Sequence, residues 1–375
     1  MSSGERRIRV GFLLQEVLNG GVDRCFLNLA RGFADRGIAV DLVVRHVHED
    51  QAGDIAAGVN VIRIDEPGRC LSGVTAALTT GDTPSVLIAA KEADARLALE
   101  IRERLGIPVV LVASLDHTGQ LDGRGAGSLR RWARYRALRR LYGAANQVFC
   151  VSRGVAEDMA HILRPDAPPL SVLPNPVVTP ELHRLASAAL DHPWFVDGAP
   201  PVVLGVGRLS LIKNFPLLVR AFALMRRDID AHLVILGDGK QRSALLHLAE
   251  RLGVSDAVAF PGHVANPYPH MAHASLFVLS SLWEGFGNVL VEALACGTPV
   301  VATNCRSGPA EILDDGRYGA LVPVGDESAL AEAMRRTLHN PPPPDLLRRG
   351  SEPYTLQAST DAYLSALGLT PIGRS

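Results

Sequence analysis

Residues 275–303 read Ser275-Leu-Phe-Val-Leu279-Ser-Ser-Leu-Trp-Glu284-Gly-Phe-Gly-Asn-Val289-Leu-Val-Glu292-Ala-Leu-Ala-Cys-Gly297-Thr-Pro-Val-Val-Ala-Thr303. The apolar run Leu276 to Leu279 ends in small polar residues, and a glycine-rich turn follows. Apolar positions then recur at helical spacing, at Val289, Leu290, Ala293 and Leu294, and stop at Gly297. The order is strand, turn, helix, strand. Glu284 lies in the turn and Glu292 about one turn into the helix, so one crevice can receive both carboxylates. Backbone N–H groups from Phe286 through Asn288 to Val289 are the donors that a helix start leaves unpaired, and Gly285 and Gly287 let a ligand come close to the main chain. The stretch suits a polar, partly anionic ligand such as a sugar phosphate. Spacing alone fits equally well a solvated Glu284 and a Glu292 that offsets a helix dipole.

A chain of 375 residues is too long for one ordinary core and suits two domains. Apolar residues make up 47% and charged residues 21%, with a net charge of −1, which is globular and argues against a nucleic-acid partner. No apolar run is long enough to span a bilayer, and the first residues lead into an apolar strand instead of a signal-peptide core. The expected location is the cytosol. Cys25, Cys70, Cys150, Cys296 and Cys305 lack Cys-x-x-Cys spacing and mostly fall in apolar runs, so reduced buried thiols are expected.

From the N-terminus, a buried strand over 8–14 precedes Asn19-Gly20-Gly21 and a helix of roughly 22–36. A glycine pair between the first strand and first helix of a doubly wound sheet is either a tight turn or a place where backbone meets phosphate. Strand-like runs at 39–45, 59–64, 85–89, 107–113 and 147–151 alternate with helical stretches such as 93–105 and 128–144, the pattern of a parallel sheet covered on both faces. His117 follows the strand ending at Ala113, where open sheets bind ligands, although a histidine there is often structural. Arg124, Arg130, Arg131, Arg134, Arg136, Arg139 and Arg140 interleave with Trp132, Tyr135 and Tyr142; Leu129, Ala133, Ala137 and Leu141 form the expected inward stripe. Such a helix has either a solvated basic face or one that docks on anionic lipid or a polyprenyl diphosphate. Ser152 is placed to cap the next helix, and 172–176 reads as the last strand of the first domain.

The second domain opens with a strand from Pro201, followed by Gly207-Arg208 and Lys213-Asn214. An Arg and a Lys five residues apart around a strand-end turn can converge on a diphosphate. A further strand ends in Gly237-Asp238-Gly239, and the next in Gly262-His263-Val264. Gly308 and Pro309 suit a helix entry at which Glu311 either caps the helix, the first reading, or faces the crevice. The run Pro341–Pro344 is expected to end the domain.

Glu284 to Glu292, carrying a Gly-Phe-Gly core, is a Glu-x7-Glu motif. It resembles the donor-site signature of retaining glycosyltransferases of family 4, whose GT-B architecture is an α/β fold of two Rossmann-like domains with parallel sheets facing a central cleft. The resemblance implies an acceptor domain over 1–178, a linker over 179–200, a donor-nucleotide domain over 201–345, and a C-terminal helix, within 346–375, crossing back to the first domain. It implies Arg208 and Lys213 as diphosphate ligands, Glu292 on the ribose hydroxyls, Glu284 on the sugar hydroxyls, and His117 beside the sugar ring. Gly20 and Gly21 would face the donor diphosphate and the acceptor; His263 and Val264 would border the nucleobase; Gly285, Phe286, Gly287, Asn288 and Val289 would complete the donor site. The donor is expected to be a UDP-sugar, ahead of a GDP-sugar, and the acceptor a glycan or lipid-linked glycan for a surface polysaccharide. No metal or other cofactor is expected. Retention by same-face attack ranks above a covalent Glu284 nucleophile. Two other readings share the architecture: a nucleotide-sugar 2-epimerase and a non-catalytic nucleotide-sugar-binding subunit.

Overall fold

A computed structural model describes residues 8–17, 20–47, 53, 55–64, 70–80, 82–123, 125–196 and 198–369. Asn19, Arg124 and the side chain of Cys70 lie outside them. The chain divides into two compact units, one formed by Met1–Pro176 with Leu356–Ser375 and the other by Val177–Thr355.

Among the described residues the first unit has nine strands: β1 (Arg9–Leu13), β2 (Glu16–Val17), β3 (Ala39–Val44), β4 (His46–Val47), β5 (Val59–Arg63), β6 (Val86–Ala89), β7 (Val109–Ala113), β8 (Gln147–Cys150) and β9 (Leu170–Val172). Seven form one parallel sheet in the order β5-β3-β1-β6-β7-β8-β9, and β2 pairs with β4. The central strands are continuous Val, Leu and Ile runs because helices cover both faces; every residue of β7 is buried. Phe12 of β1 meets Phe26 and Phe33 edge-on, with ring centroids 5.8 and 5.5 Å away, so the helix Gly21–Asp35 is held by aromatic packing. The helix Leu356–Ala366 lies against the same helix so closely that a Cβ on Gly32 would sit 2.0 Å from Thr360 Oγ1. Tyr363 of that helix also packs on Phe149 of β8.

The second unit has six parallel strands, β10 (Val202–Val206), β11 (His232–Leu236), β12 (Val258–Gly262), β13 (Leu276–Leu279), β14 (Val300–Thr303) and β15 (Ala320–Val322), in the order β12-β11-β10-β13-β14-β15. Its core joins Val203, Leu233 and Ile235 of the sheet to Leu218 and Phe222 of the covering helix Phe215–Met225. The register slips between β11 and β12 where Pro261 cannot donate, which an edge strand tolerates. Strand order reverses between β1 and β6 in one sheet and between β10 and β13 in the other. Ligands of open α/β sheets bind outside the carboxyl ends of the strands at such reversals.

Four sequence expectations need correction. The last strand of the first unit is Leu170–Val172, not 172–176; Pro174 and Pro176 cannot donate to a ladder. Residues 179–200 are no linker but belong to the second unit, where the helix Pro180–Ala186 packs on Tyr268–His273 and Trp194 stacks on His232 at 4.2 Å. The run Pro341–Pro344 does not end that unit: it stops one helix at His339, and Pro344 starts another, Pro344–Ser351, which packs on Asn288–Cys296. Proline breaks a helix interior but suits a first turn. The expected inward stripe of the arginine helix, Ser128–Tyr142, holds only at Leu141. Leu129 is 77% exposed, Ala133 and Ala137 are exposed, and the packed face carries Arg134, Tyr135, Leu138, Leu141 and Tyr142.

Candidate functional site

In the second unit the loops after β10 and β13 are fastened to each other. The 3-10 turn Leu211–Lys213 ends at Asn214 in the left-handed region (φ 46°), which asparagine tolerates. Leu282 N donates to the Ile212 carbonyl at 2.8 Å, and Ser280 Oγ donates to the Lys213 carbonyl at 2.8 Å. Thr303 of β14 donates to the Ser281 carbonyl at 2.7 Å. Between these stitches Lys213 Nζ lies 2.6 Å from Glu284 Oε1, which also accepts from Ser281 Oγ at 2.6 Å. Ammonium, carboxylate and hydroxyl therefore converge at the switch point.

The glycine turn is held by main chain. Gly287, at φ 107°, is the N-cap of the helix Asn288–Cys296 and offers no capping side chain. Gly308, after β14, approaches so closely that a Cβ there would fall 1.6 Å from the Phe286 carbonyl oxygen, and Phe286 is anchored by its ring on Tyr354 at 5.0 Å. Glu292, 6% exposed, sits one turn into the helix and accepts from Tyr268 Oη at 3.4 Å. Asn288, Val289 and Gly285 are half-buried along this turn. Two thiols flank it without chemistry of their own: burial, then Glu292, pushes Cys296 up to about 12, and burial, then Glu284, pushes Cys305 up to about 12.

Arg208 is exposed on the loop after β10, and among the described residues it makes no ion pair. Its loop is tied to the one after β11 by Leu209 N donating to the Asp238 carbonyl at 2.8 Å. His263, exposed, and Val264, half-buried, follow β12, two strands out from β10. The structure thus joins Lys213 directly to Glu284, places Arg208 on the loop of the same strand, and puts Glu292 on the helix that the glycine turn begins. Ser281 and Tyr268 were not singled out from sequence; small polar residues closing a buried strand were the available signal for Ser281.

In the first unit Gly20 and Gly21 open the helix Gly21–Asp35, but the charges beside them are already satisfied. Lys91 Nζ, just after β6, lies 2.5 Å from Asp23 Oδ1 and donates to the Glu16 carbonyl at 2.7 Å. Buried Asp94 accepts from Gln15 N, and burial raises its carboxyl above the usual range. His117 starts the helix His117–Gly123 beyond β7, is 3% exposed, and its backbone N donates to Asp158 Oδ2 at 2.8 Å. Burial and then Arg134 lower its pKa. Ser152 caps its helix as expected, accepting from Val155 N at 3.2 Å. Cys25 and Cys150 are buried thiols outside any disulfide. No described helix is long and apolar enough to cross a membrane.

Residues 200–340 match the family described as glycosyl transferases group 1, and residues 20–176 match the glycosyl transferase 4-like domain. The chain belongs to the glycosyltransferases of group 1, of the family 4 type. This glycosyltransferase is 28% identical over 361 residues to the lipopolysaccharide core biosynthesis glycosyltransferase LpsE of Rhizobium meliloti, a match covering 94% of this chain and 97% of LpsE. It is 34% identical over 222 residues to the N-acetylgalactosamine-N,N'-diacetylbacillosaminyl-diphospho-undecaprenol 4-alpha-N-acetylgalactosaminyltransferase of Campylobacter jejuni, which covers 59% of this chain but only 57% of that enzyme. Among solved structures it is similar to Anabaena Alr3699/HepE in complex with UDP and glucose, with a TM-score of 0.74 at 19% identity over 96% of this chain and 99% of that one. The likeness at that identity establishes the GT-B fold of the glycosyltransferase.

Proposed function

We propose that the chain transfers a glycosyl unit, with retention, from a nucleoside diphosphate sugar to a glycan or lipid-linked glycan during surface polysaccharide synthesis. The observation that carries this reading is the Lys213–Glu284–Ser281 cluster beside the glycine-led helix start at the switch point of the second sheet. Arg208 and Lys213 offset the charge that builds on the departing diphosphate. Glu284 accepts hydrogen bonds from the sugar hydroxyls, Glu292 from the ribose hydroxyls, and His117 contacts the sugar. The bond from the anomeric carbon to the phosphate oxygen breaks, the acceptor oxygen bonds that carbon on the same face, and the hydroxyl proton passes to the departing phosphate. Protein cations, without a metal ion, supply the positive charge. Uridine is the preferred base, in keeping with UDP on the similarly folded HepE.

The acceptor reading extends to the arginine helix. Exposed Leu129, Trp132, Arg130, Arg136 and Arg140 form its outer face, with Arg136 lying 5.4 Å from the Trp132 ring centroid, and such a face would rest on anionic lipid at the inner side of the cytoplasmic membrane. Arg131 and Arg134 are not part of it, since they pair with Asp122 and Glu92. Binding of wild type to anionic vesicles should be lost when Arg130, Arg136 and Arg140 become Glu; unchanged co-sedimentation removes the membrane contact.

The decisive experiment is a thermal-shift screen of UDP- and GDP-sugars, followed by product analysis with and without polyprenyl-linked acceptor. A donor present at 100 times its Kd stabilises by about 2.7 kcal/mol. Transfer only when acceptor is present, with an α-configured donor giving an α-linkage, is expected. Epimerised donor in the absence of acceptor, or nucleotide binding with no turnover, overturns the reading.

A further inference from the structure

Arg134 is turned inward against His117. Its Nη2 lies 3.3 Å from His117 Nδ1. A guanidinium carries donors only and keeps its proton, so Nδ1 must be the accepting nitrogen and the ring proton must reside on Nε2. Arg134 is itself gripped at both nitrogens by Glu92, with Nη1 3.1 Å from Oε2 and Nη2 in contact with Oε1. Glu92 opens the helix Glu92–Leu105 directly after β6, on rigid scaffold. Arg134 in turn holds its carboxyl below the usual range. Asp158 fixes the His117 backbone N–H, and the Tyr142 ring packs edge-on against the imidazole, its centroid 6.4 Å away. The ring is thereby held at Nδ1 and along one edge, yet buried Nε2 has no hydrogen-bond partner among the described residues. A donor desolvated in this way is unfavourable unless an acceptor arrives.

We propose that Glu92 and Arg134 are positioning residues that lock His117 as the neutral Nε2–H tautomer, so that its ring donates a hydrogen bond to a hydroxyl oxygen of the sugar. This rests on the reading of the chain as a glycosyltransferase and assigns roles that the Glu-x7-Glu signature does not. With Nδ1 occupied and Arg134 beside it, His117 binds without moving protons. The charged and titratable groups facing it are Arg134, Glu92, Asp158 and Tyr142. Wild-type kcat should therefore show no histidine inflexion between pH 6 and 8.

Long-range 1H–15N correlation spectra of the full chain, labelled at histidine, test it without any variant. His117 should show a protonated Nε2 and an unprotonated Nδ1 at pH 7, and the Nε2–H resonance should move on adding nucleotide sugar but less with the nucleoside diphosphate alone. R134M should mix the tautomers and lower kcat about tenfold or more while donor KM stays within about twofold. R134K, whose ammonium also only donates, should restore the tautomer and much of the rate. E92Q, a gentler change should R134M fail to fold, should reproduce the R134M effects on tautomer and kcat in weaker form. A wild-type Nδ1–H tautomer, or R134M with unchanged tautomer and kcat, overturns the proposal. A correct tautomer in a protein that transfers no sugar overturns instead the reading on which it rests.

Discussion

At the strand reversal of the first unit, Lys91 is taken up by Asp23 and the Glu16 carbonyl, and Asp94 is buried beside them. At the reversal of the second, Arg208 stands exposed and Lys213 shares a carboxylate with Ser281. Both sheets offer the same topological opportunity. Both helix starts carry a glycine at the N-cap, so what differs is the exposed cation: Arg208 stands on the second reversal outside any ion pair among the described residues. Under the proposed reading, that charge, and not sheet order, is what would favour a diphosphate at the second reversal.

The largest expected effect separates the two reversals. R208A should lower kcat/KM by about 10²–10³ through lost charge stabilisation with melting temperature nearly unchanged. K91A should do the opposite: strand the buried Asp23 carboxylate and cost about 1–3 kcal/mol of stability, while nucleotide affinity by calorimetry stays within about twofold. Equal losses of nucleotide affinity in both variants would break the comparison. A smaller effect sharpens it. S281A removes one donor from Glu284 and should cost about 1 kcal/mol, seen as a fewfold loss in kcat with Lys213–Glu284 still paired.

The smallest effect is a pH dependence of stability. Burial, reinforced by neighbouring cations or histidines, lowers the pKa of His192, His232 and His270 in the second unit. The unfolded chain therefore takes up protons first as pH falls through roughly 6.5, so the stability these groups contribute is present above that pH and lost below it. In the first unit His117 behaves likewise, but Asp94, raised by burial, holds its proton better folded than unfolded and works in the opposite direction. Hydrogen exchange at pH 7 and pH 5 should show the second unit loosening more. H232F should flatten that dependence, and equal loosening of both units would refute it.

Much of this was readable beforehand wherever a pattern repeats locally. Unbroken Val, Ile and Leu runs gave the parallel strands because both faces of each sheet are covered, and the 275–303 stretch declared its strand, turn and helix through glycine and apolar spacing. Charged and proline residues misled because their partners are remote or positional. Arg134 was assigned to solvent since Glu92, 42 residues away, cannot be seen as its counterion from a helical wheel. Pro344 looked like a terminator when it begins a helix. Ser281 gained meaning only once β13 ended opposite the Leu211–Lys213 turn.

Gly308 meets the Phe286 carbonyl with bare backbone, so the loops after β13 and β14 are welded by peptide against peptide with no side chain in the joint. Side chains around the turn can then be exchanged without shifting the platform beneath them, but not at the glycine itself, where even one added carbon would prise the two loops apart.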